Sequence, residues 1–272
     1  MTRAPTARAR ATQARAGVVD EPTAALELRG LRKSFGAKAA VDGVDLTVPG
    51  GSFFGLVGPN GAGKTTTLSM ATGLLRPDAG TARVHGLDVW SDPFAAKRII
   101  GNLADGVELF DRLTGEQLIV YTGLLFGLDR ATVASRASDL LDLLDLTSSA
   151  GSPVSDYSAG MRKKIGLAAA LVHSPRLLVL DEPFESVDPV SAANIRDILA
   201  GFARSGGTVV VSSHSMDLVQ RMCDHVAIVA AGRVLAAGTI DEVRGEGTLE
   251  DRFLQLVGGR RHDEGPEWLR GS

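Results

Sequence analysis

The stretch GPNGAGKT at residues 58–65 decides how this chain is expected to fold. It fits the pattern G-x-x-x-x-G-K-[ST], and it lies between a short apolar run, FFGLV at residues 53–57, and helical spacing after residue 63. A strand that enters a glycine-rich turn and leaves it as a helix directs backbone N–H groups and the helix N-terminus at one point, where an anion is stabilised. The sequence therefore predicts a phosphate-binding loop.

The residue types in this loop suit a triphosphate bound together with Mg²⁺. Lys64 is expected to reach the β and γ phosphates, and Thr65 offers a hydroxyl to the metal ion. The alternative is a glycine-rich turn that matches the pattern by accident, but the flanking strand and helix favour the phosphate loop. The residues expected around the phosphates are Gly58, Pro59, Asn60, Gly61, Ala62, Gly63, Lys64, Thr65 and Thr66.

Two further polar segments follow apolar strands. LLVLDEP at residues 177–183 is typical of a strand buried on both faces, followed by Asp181 and Glu182. Asp181 is expected to hold Mg²⁺ through water, and Glu182 is expected to orient or deprotonate an attacking water. Without the phosphate loop, two such acids would read as a solvated turn. His214 follows TVVVSS at residues 208–213 and should emerge at the same carboxyl edge, close to the γ-phosphate.

The segment DYSAGMRKK at residues 156–164 places small polar residues before a predicted helix over residues 161–172. The first turn of that helix has no carboxylate to complement its dipole. The pattern indicates that something else supplies negative charge there. Arg162, Lys163 and Lys164 either reinforce a positive field or form the solvated face of the helix.

Five segments in this order resemble the nucleotide-binding subunit of an ATP-binding cassette (ABC) transporter: GPNGAGKTT, YSAGM, LLVLDEP, SVDP and VVVSSHS. The likeness extends over about residues 26–256. It implies an α/β fold: a P-loop NTPase (RecA-like) core sheet, an antiparallel β subdomain and an inserted helical subdomain at about residues 102–158. It also implies Mg-dependent hydrolysis of ATP.

The resemblance implies a role for each matching residue. Lys64, Glu182 and His214 would be catalytic, and Thr65, Asp181 and Asp105 would face Mg²⁺. Ser158 and the Gly160 amide would donate to the γ-phosphate of ATP held by the other subunit of a head-to-tail pair. That phosphate would supply the negative charge that the first turn of the helix lacks. Phe35 would stack on adenine, unless it is an ordinary core residue, and Asp188 would communicate across the dimer.

Three positions depart from the family pattern. Asp105 stands where the family has Gln, or Glu in some export branches, and its shorter side chain is expected to contact Mg²⁺ or the attacking water less well. Ala159 replaces a glycine or polar residue, and Ser186 replaces a glycine. Because Lys64, Asp181, Glu182 and His214 are all present, hydrolysis is expected to survive.

Composition sets further bounds. The net charge of −3 argues against a general nucleic-acid binder, and the single cysteine, Cys223, excludes an internal disulfide and is expected to be buried and inert. The longest uncharged apolar stretch, residues 117–128, is shorter than the roughly 20 residues that span a bilayer. Residues 1–23 read as a disordered basic tail, or a transit peptide, before an ATPase domain at residues 24–257 and a polar tail at residues 258–272.

These observations predict the ATP-hydrolysing subunit of an ABC transporter. It would form a homodimer or heterodimer, lie on the cytoplasmic face of the cell membrane and power a separate transmembrane permease that exports a drug, antibiotic or lipid-like substrate. Two alternatives stay open. One is a low-turnover nucleotide-sensing module, motivated by Asp105 and Ser186, and the other is a soluble ABC ATPase that acts without a permease.

Overall fold

The structure is a computed structural model that describes residues 24–106 and 109–258. In chain order the strands are β1 (Ala24–Phe35), β2 (Lys38–Pro49), β3 (Phe53–Val57), β4 (Ala79–Val84), β5 (Leu87–Asp88), β6 (Ile100–Leu103), β7 (Leu177–Leu180), β8 (Thr208–Ser213), β9 (His225–Ala230) and β10 (Arg233–Thr239). The helices are α1 (Lys64–Ala71), α2 (Pro93–Arg98), α3 (Gly115–Leu125), α4 (Arg130–Leu143), α5 (Ala159–Leu171), α6 (Pro189–Arg204), α7 (Met216–Met222), α8 (Ile240–Arg244) and α9 (Leu249–Leu256). The predicted basic tail, and all of the polar tail after residue 258, lie outside the described residues.

The central sheet of the described residues has six strands in the order β10-β9-β3-β8-β7-β6. All its neighbouring pairs are parallel except the hairpin of β9 and β10. Every residue of β3, β7 and β8 is buried, as expected for strands covered on both faces. The predicted core sheet is confirmed, and so is the hairpin turn at Ala231 and Gly232.

A second sheet, antiparallel in the order β2-β1-β4-β5, covers one face of the first. Its strands alternate: Val44, Leu46 and Val48 of β2 are buried, whereas Asp45 and Thr47 between them are exposed. This period of two is the mark of a strand with one face on a core. The predicted antiparallel subdomain is therefore confirmed.

Alternate residues of the central strands serve two separate cores. Phe53 and Val57 of β3 pack in a cluster with α3 to α7, whereas Phe54 and Leu56 pack in a cluster with the antiparallel sheet. Since successive side chains of a strand point to opposite faces, a five-residue strand joins both halves of the molecule. The β3 strand thereby holds the phosphate loop rigidly between two cores.

The helical subdomain begins later than residue 102. Asn102 and Leu103 pair with Val179 and Leu180 of β7, so they complete the central sheet, and the first helix after them is α3. The four residues of this strand, Ile-Gly-Asn-Leu, are too few for a helix or strand period to be recognised, which is why spacing alone placed this boundary poorly. In α4 the predicted amphipathic face is present, with Val133, Ala137 and Leu141 buried.

Two composition-based expectations can be compared with the described residues. Cys223 is buried, as predicted, and burial raises the pKa of its thiol far above the usual range. Among the helices of residues 24–106 and 109–258, none combines the length and apolar content that crossing a bilayer requires.

The contact between β6 and α5 leaves no space for a side chain at residue 101. A Cβ on Gly101 would lie 2.3 Å from the carbonyl oxygen of Ala170 and 3.0 Å from Cγ of Pro175. We therefore expect Gly101→Ala to lower the free energy of unfolding by about 1–3 kcal/mol, the usual cost of overpacking. Urea denaturation measures this change. The control is Gly151→Ala, since a Cβ on Gly151 would meet no atom within 4 Å, and equal stabilities of the two variants would contradict the prediction.

Candidate nucleotide site

Four neighbouring parallel strands end at one edge of the central sheet, and each is followed by predicted site residues. The phosphate loop follows β3, Asp105 follows β6, Asp181 and Glu182 follow β7, and His214 follows β8. The carboxyl edge of a parallel sheet is where open α/β folds bind ligands. The polar segments that are far apart in sequence therefore meet at one place.

The phosphate loop leaves the N-terminus of α1 without a side-chain cap. Its N-cap is Gly63, which has φ of 101° and whose Cβ, if present, would lie 2.4 Å from the carbonyl oxygen of Ala40. Only glycine fits both the left-handed backbone and this close approach. The first turn of α1 also has no acidic residue, so its N–H groups and dipole are available to an anion.

Lys64 is 6% exposed, and its ammonium group is held by its own loop. Nζ donates to the carbonyl oxygens of Gly58 at 2.8 Å and Pro59 at 3.3 Å. It also lies 3.4 Å from Oε1 of Glu182, within ion-pair distance. The structure thus brings the predicted phosphate cation and the predicted base into direct contact.

Asp181 and Glu182 are joined through Ser212 of β8. The Ser212 hydroxyl donates to Oδ1 of Asp181 and accepts the backbone N–H of Glu182 at 2.9 Å. Sequence reasoning missed Ser212, although a serine within a fully buried apolar strand is a signal that it has a specific partner. His214 continues the chain of contacts, since its Nδ1 lies 3.1 Å from Oε2 of Glu182.

The carboxylate of Asp181 fits a role beside a metal ion. Asp181 is 3% exposed, and its Oδ2 is buried without a hydrogen-bond partner among the described residues. Such an oxygen, with the Thr65 hydroxyl on α1, matches the hard donors that Mg²⁺ prefers. Within the described part of the chain, no group of three or more His, Cys, Asp or Glu side chains is arranged to hold a metal ion.

A cleft of about 500 Å³ opens beside the phosphate loop. Its volume lies within the range of small-molecule sites. Phe35 at its wall is 54% exposed, so it is not a core residue, and Lys33 Nζ lies 5.9 Å from its ring centroid. The lining residues are Phe35, Lys38, Ala40, Asn60, Gly61, Ala62, Gly63, Lys64, Thr65, Thr66, Asp105, Glu182 and Glu185.

Ser158 and Gly160 occupy a different place from the phosphate loop. Neither belongs to the described residues that line the cleft. Ser158 is the N-cap of α5 and accepts the Met161 N–H at 3.2 Å, and a Cβ on Gly160 would lie 3.6 Å from Oδ2 of Asp188. The YSAGM stretch at residues 157–161, which we call the signature segment, and Asp188 therefore form a second group, at the N-termini of α5 and α6.

Asp188 uses its carboxylate to cap a helix. It is the N-cap of α6, where it accepts the N–H groups of Ser191 and Val190, both at 3.0 Å. The bond from the Ser191 N–H, and then the other bonds around the cap, hold the pKa of Asp188 below its usual value.

The three cations after the signature segment do not form a solvated helix face. Arg162 pairs with Asp111 at 2.9 Å, and Lys164 is buried with Nζ 3.9 Å from Asp145. Lys163 Nζ lies 3.1 Å from Oδ1 of Asp105 and donates to the Glu182 carbonyl at 3.0 Å. Their charges are therefore paired within the molecule.

The structure explains what the departure at Ser186 costs. Ser186 has φ of 59°, in the left-handed region that glycine adopts freely. A residue with a Cβ is strained there by about 1–2 kcal/mol. Glu182 is also left-handed, with φ of 46°, so the segment after β7 contains two such residues.

Beyond the cleft, a groove of about 610 Å³ runs between β6, the segment after it, and helices α3 and α5. Asp105 lines both the groove and the cleft, and Lys163 lines the groove. His173 stacks on Phe126 in its wall, with ring centroids 3.7 Å apart, and burial lowers the pKa of His173. A larger cavity, about 1290 Å³, lies at the amino ends of β7 and β8, and none of its described lining residues is a predicted site residue.

The chain is similar to known proteins in sequence and in fold. The family model described as ABC transporter matches residues 41–185. A daunorubicin/doxorubicin resistance ATP-binding protein of Streptomyces peucetius is 40% identical over 243 residues, which cover 89% of this chain and 72% of that protein. A linearmycin resistance ATP-binding protein of Bacillus subtilis is 35% identical over 214 residues, covering 79% and 69%. The solved structure of an ATP-binding subunit of an ABC transporter superposes with a TM-score of 0.79 at 27% identity, covering 85% of this chain and 99% of that one.

Removal of the Ser212 hydroxyl tests the link between Asp181 and Glu182. Ser212→Ala leaves a buried carboxylate oxygen and a backbone N–H without their partner, so we expect a loss of about 1–3 kcal/mol in the free energy of unfolding. The control is Ser205→Ala, whose exposed hydroxyl donates only to the Phe202 carbonyl. Urea denaturation at neutral pH compares them, and a Ser212→Ala variant as stable as the control would contradict this account.

Proposed function

The chain belongs to the ABC transporter family, as an ATP-binding subunit, and we propose that it hydrolyses MgATP to drive a separate permease that exports a drug, antibiotic or lipid-like substrate. The observation that carries the hydrolysis is the convergence of Lys64, Asp181, Glu182 and His214 at the carboxyl edge of the central sheet. A phosphate loop alone is enough for binding, whereas a carboxylate base beside the phosphates is what hydrolysis requires.

ATP would bind in the cleft beside the phosphate loop. The exposed ring of Phe35 is available to stack on adenine, and the α1 N-terminus faces the phosphates with Gly58 to Thr66 around them. Thr65 and Asp181 would hold Mg²⁺, and Asp105 lines the same cleft as Thr65. The metal ion, when bound, would neutralise charge that develops on the β and γ phosphates.

The contacts of Glu182 suggest how the chain itself would promote hydrolysis. When the phosphates draw the Lys64 ammonium toward them, Oε1 of Glu182 is freed for a water molecule. Glu182 takes a proton from that water while the water oxygen bonds to the γ-phosphorus. The bond from the γ-phosphorus to the β,γ-bridging oxygen breaks, and ADP and inorganic phosphate leave. His214 keeps the carboxylate oriented through Oε2, and Lys64 stabilises the charge on the departing phosphates.

A pair of subunits would complete each site. Ser158 and Gly160 lie apart from the cleft of their own chain, and the α5 N-terminus has no acidic residue in its first turn. An anion from outside the chain suits this helix end, and we propose the γ-phosphate of ATP bound to a second subunit. Asp188, next to Gly160, would then lie at the same interface.

The permease would dock at the groove beside Asp105, on the cytoplasmic face of the cell membrane. Helix α3, which lines the groove, exposes Tyr121 and Leu125, and Phe110 packs edge-on against Tyr121 with ring centroids 5.4 Å apart. Exposed apolar side chains grouped in this way are typical of protein interfaces. The names of the two relatives, both resistance proteins, favour export of a drug or antibiotic.

The rate of ATP hydrolysis distinguishes an ATPase from the low-turnover nucleotide-sensing module. We expect Glu182→Gln to lower kcat of the purified protein for MgATP by about a hundredfold or more, since the amide cannot take a proton from water. Phosphate release measures the rate. The matched control, Glu250→Gln on the exposed face of α9, should keep the wild-type rate. Background-level rates in the wild type and in Glu182→Gln alike would favour the sensor.

The shared site is tested by charge at residue 158. Asp and Asn both cap helices as well as Ser does, but only Asp adds a negative charge. In the Glu182→Gln background we expect Ser158→Asp to prevent the MgATP-dependent dimer, because its carboxylate repels the γ-phosphate, whereas Ser158→Asn, which has the same shape without the charge, retains more of it. Gel filtration with and without MgATP measures the dimer. Equal dimer fractions in the two variants would argue against contact between residue 158 and the nucleotide.

A further inference from the structure

Lys163 joins three segments that the proposed mechanism treats separately. It lies in the second turn of α5, its side chain is mostly buried, and its Nζ lies 3.1 Å from Oδ1 of Asp105 and 3.0 Å from the carbonyl oxygen of Glu182. Asp105 follows β6, and Glu182 follows β7. The ammonium group of Lys163 therefore connects helix α5 to the two segments that follow β6 and β7.

The contact between Lys163 and Asp105 reduces the repulsion that the Asp105 carboxylate would exert on a triphosphate. Asp105 lines the cleft that would receive a triphosphate, and a carboxylate at this wall repels phosphate oxygens. The ammonium of Lys163 compensates that charge from the side of α5. The Lys163 side chain is 19% exposed and that of Asp105 is 47% exposed, so burial on the α5 side holds the ammonium in place while solvent screens part of the attraction.

The contact between Lys163 and the Glu182 carbonyl helps to fix the orientation of the Glu182 side chain. Glu182 has a left-handed backbone, which needs support from its surroundings. Its N–H is held by the Ser212 hydroxyl on one side, and its carbonyl is held by Lys163 on the other. The peptide groups before and after the Glu182 Cα are thus both anchored, which limits where the carboxylate can point.

We propose that Lys163 is a positioning residue for ATP hydrolysis: it neutralises Asp105 beside the triphosphate and anchors the Glu182 backbone. The proposal rests on the proposed function of this site. It accounts for the presence of aspartate at residue 105, since the side chain is used as the partner of Lys163. The two residues form one unit, so substitution of either one changes what the other does.

A double-mutant cycle tests this unit, with Lys163→Met, Asp105→Asn and the double variant. With Asp105 present, we expect Lys163→Met to lower kcat for MgATP about tenfold and to raise KM, whereas in the Asp105→Asn background it lowers kcat at most about threefold. Lys163→Arg keeps the charge and should stay within about threefold of the wild type. Thermal unfolding of all variants identifies losses that arise from instability alone.

Binding provides a second measurement that does not depend on turnover. In the Glu182→Gln background, we expect Lys163→Met to raise the Kd of a fluorescent ATP analogue about fivefold, and Asp105→Asn to reverse most of that change. Equal losses from Lys163→Met in both Asp105 backgrounds would overturn the neutralisation of Asp105, because the anchor on Glu182 does not depend on residue 105. A Lys163→Arg variant as impaired as Lys163→Met would overturn the role of the charge in both contacts. A wild type with background turnover would refute the proposed hydrolysis, and an unchanged Kd in Lys163→Met would then refute the Lys163 inference separately.

Discussion

The site depends on the parallel packing of β3, β8, β7 and β6, whose residues are shielded on both faces by helices and by the antiparallel sheet. Parallel strands run in one direction, so the segments that follow them emerge at one edge. Burial on both faces keeps the strands apolar along their length and forces polar residues to the ends. The catalytic candidates are grouped at this edge because the core excludes them from everywhere else.

Most ionisable side chains at this edge contact one another in the absence of a ligand, whereas Oδ2 of Asp181 has no hydrogen-bond partner among the described residues. Lys64 contacts Glu182, Glu182 contacts His214, and Asp105 contacts Lys163. Such pairing is what makes buried and half-buried charges tolerable. In the proposed mechanism a bound triphosphate would compete with Glu182 for Lys64, so binding of the anion would also release the base.

Helix α5 contacts the segments around Asp105 and Glu182 and also packs against strand β6. Its N-terminus carries Ser158, its second turn carries Lys163, and its far end packs so closely on β6 that residue 101 must be glycine. Asp105 lines both the cleft and the groove, and its partner Lys163 lies on this helix. A displacement of α5 would therefore change both the helix end that is proposed to face a second subunit and the support of Glu182.

The sequence by itself determined the phosphate loop, the buried strands and the residues at their ends, because these follow from local spacing: a glycine-rich turn between strand and helix, and apolar runs that end in Asp181 and His214. It left open whether Phe35 is a core residue and whether Lys163 is solvated, and it placed the start of the helical subdomain inside β6. Only the tertiary structure decided that Phe35 is exposed, that Ser212 joins Asp181 to Glu182, and that Lys163 pairs with Asp105 across 58 positions of sequence. The reason is physical: such pairings depend on which segments the sheet and α5 bring together, and local periodicity carries no information about contacts between distant segments.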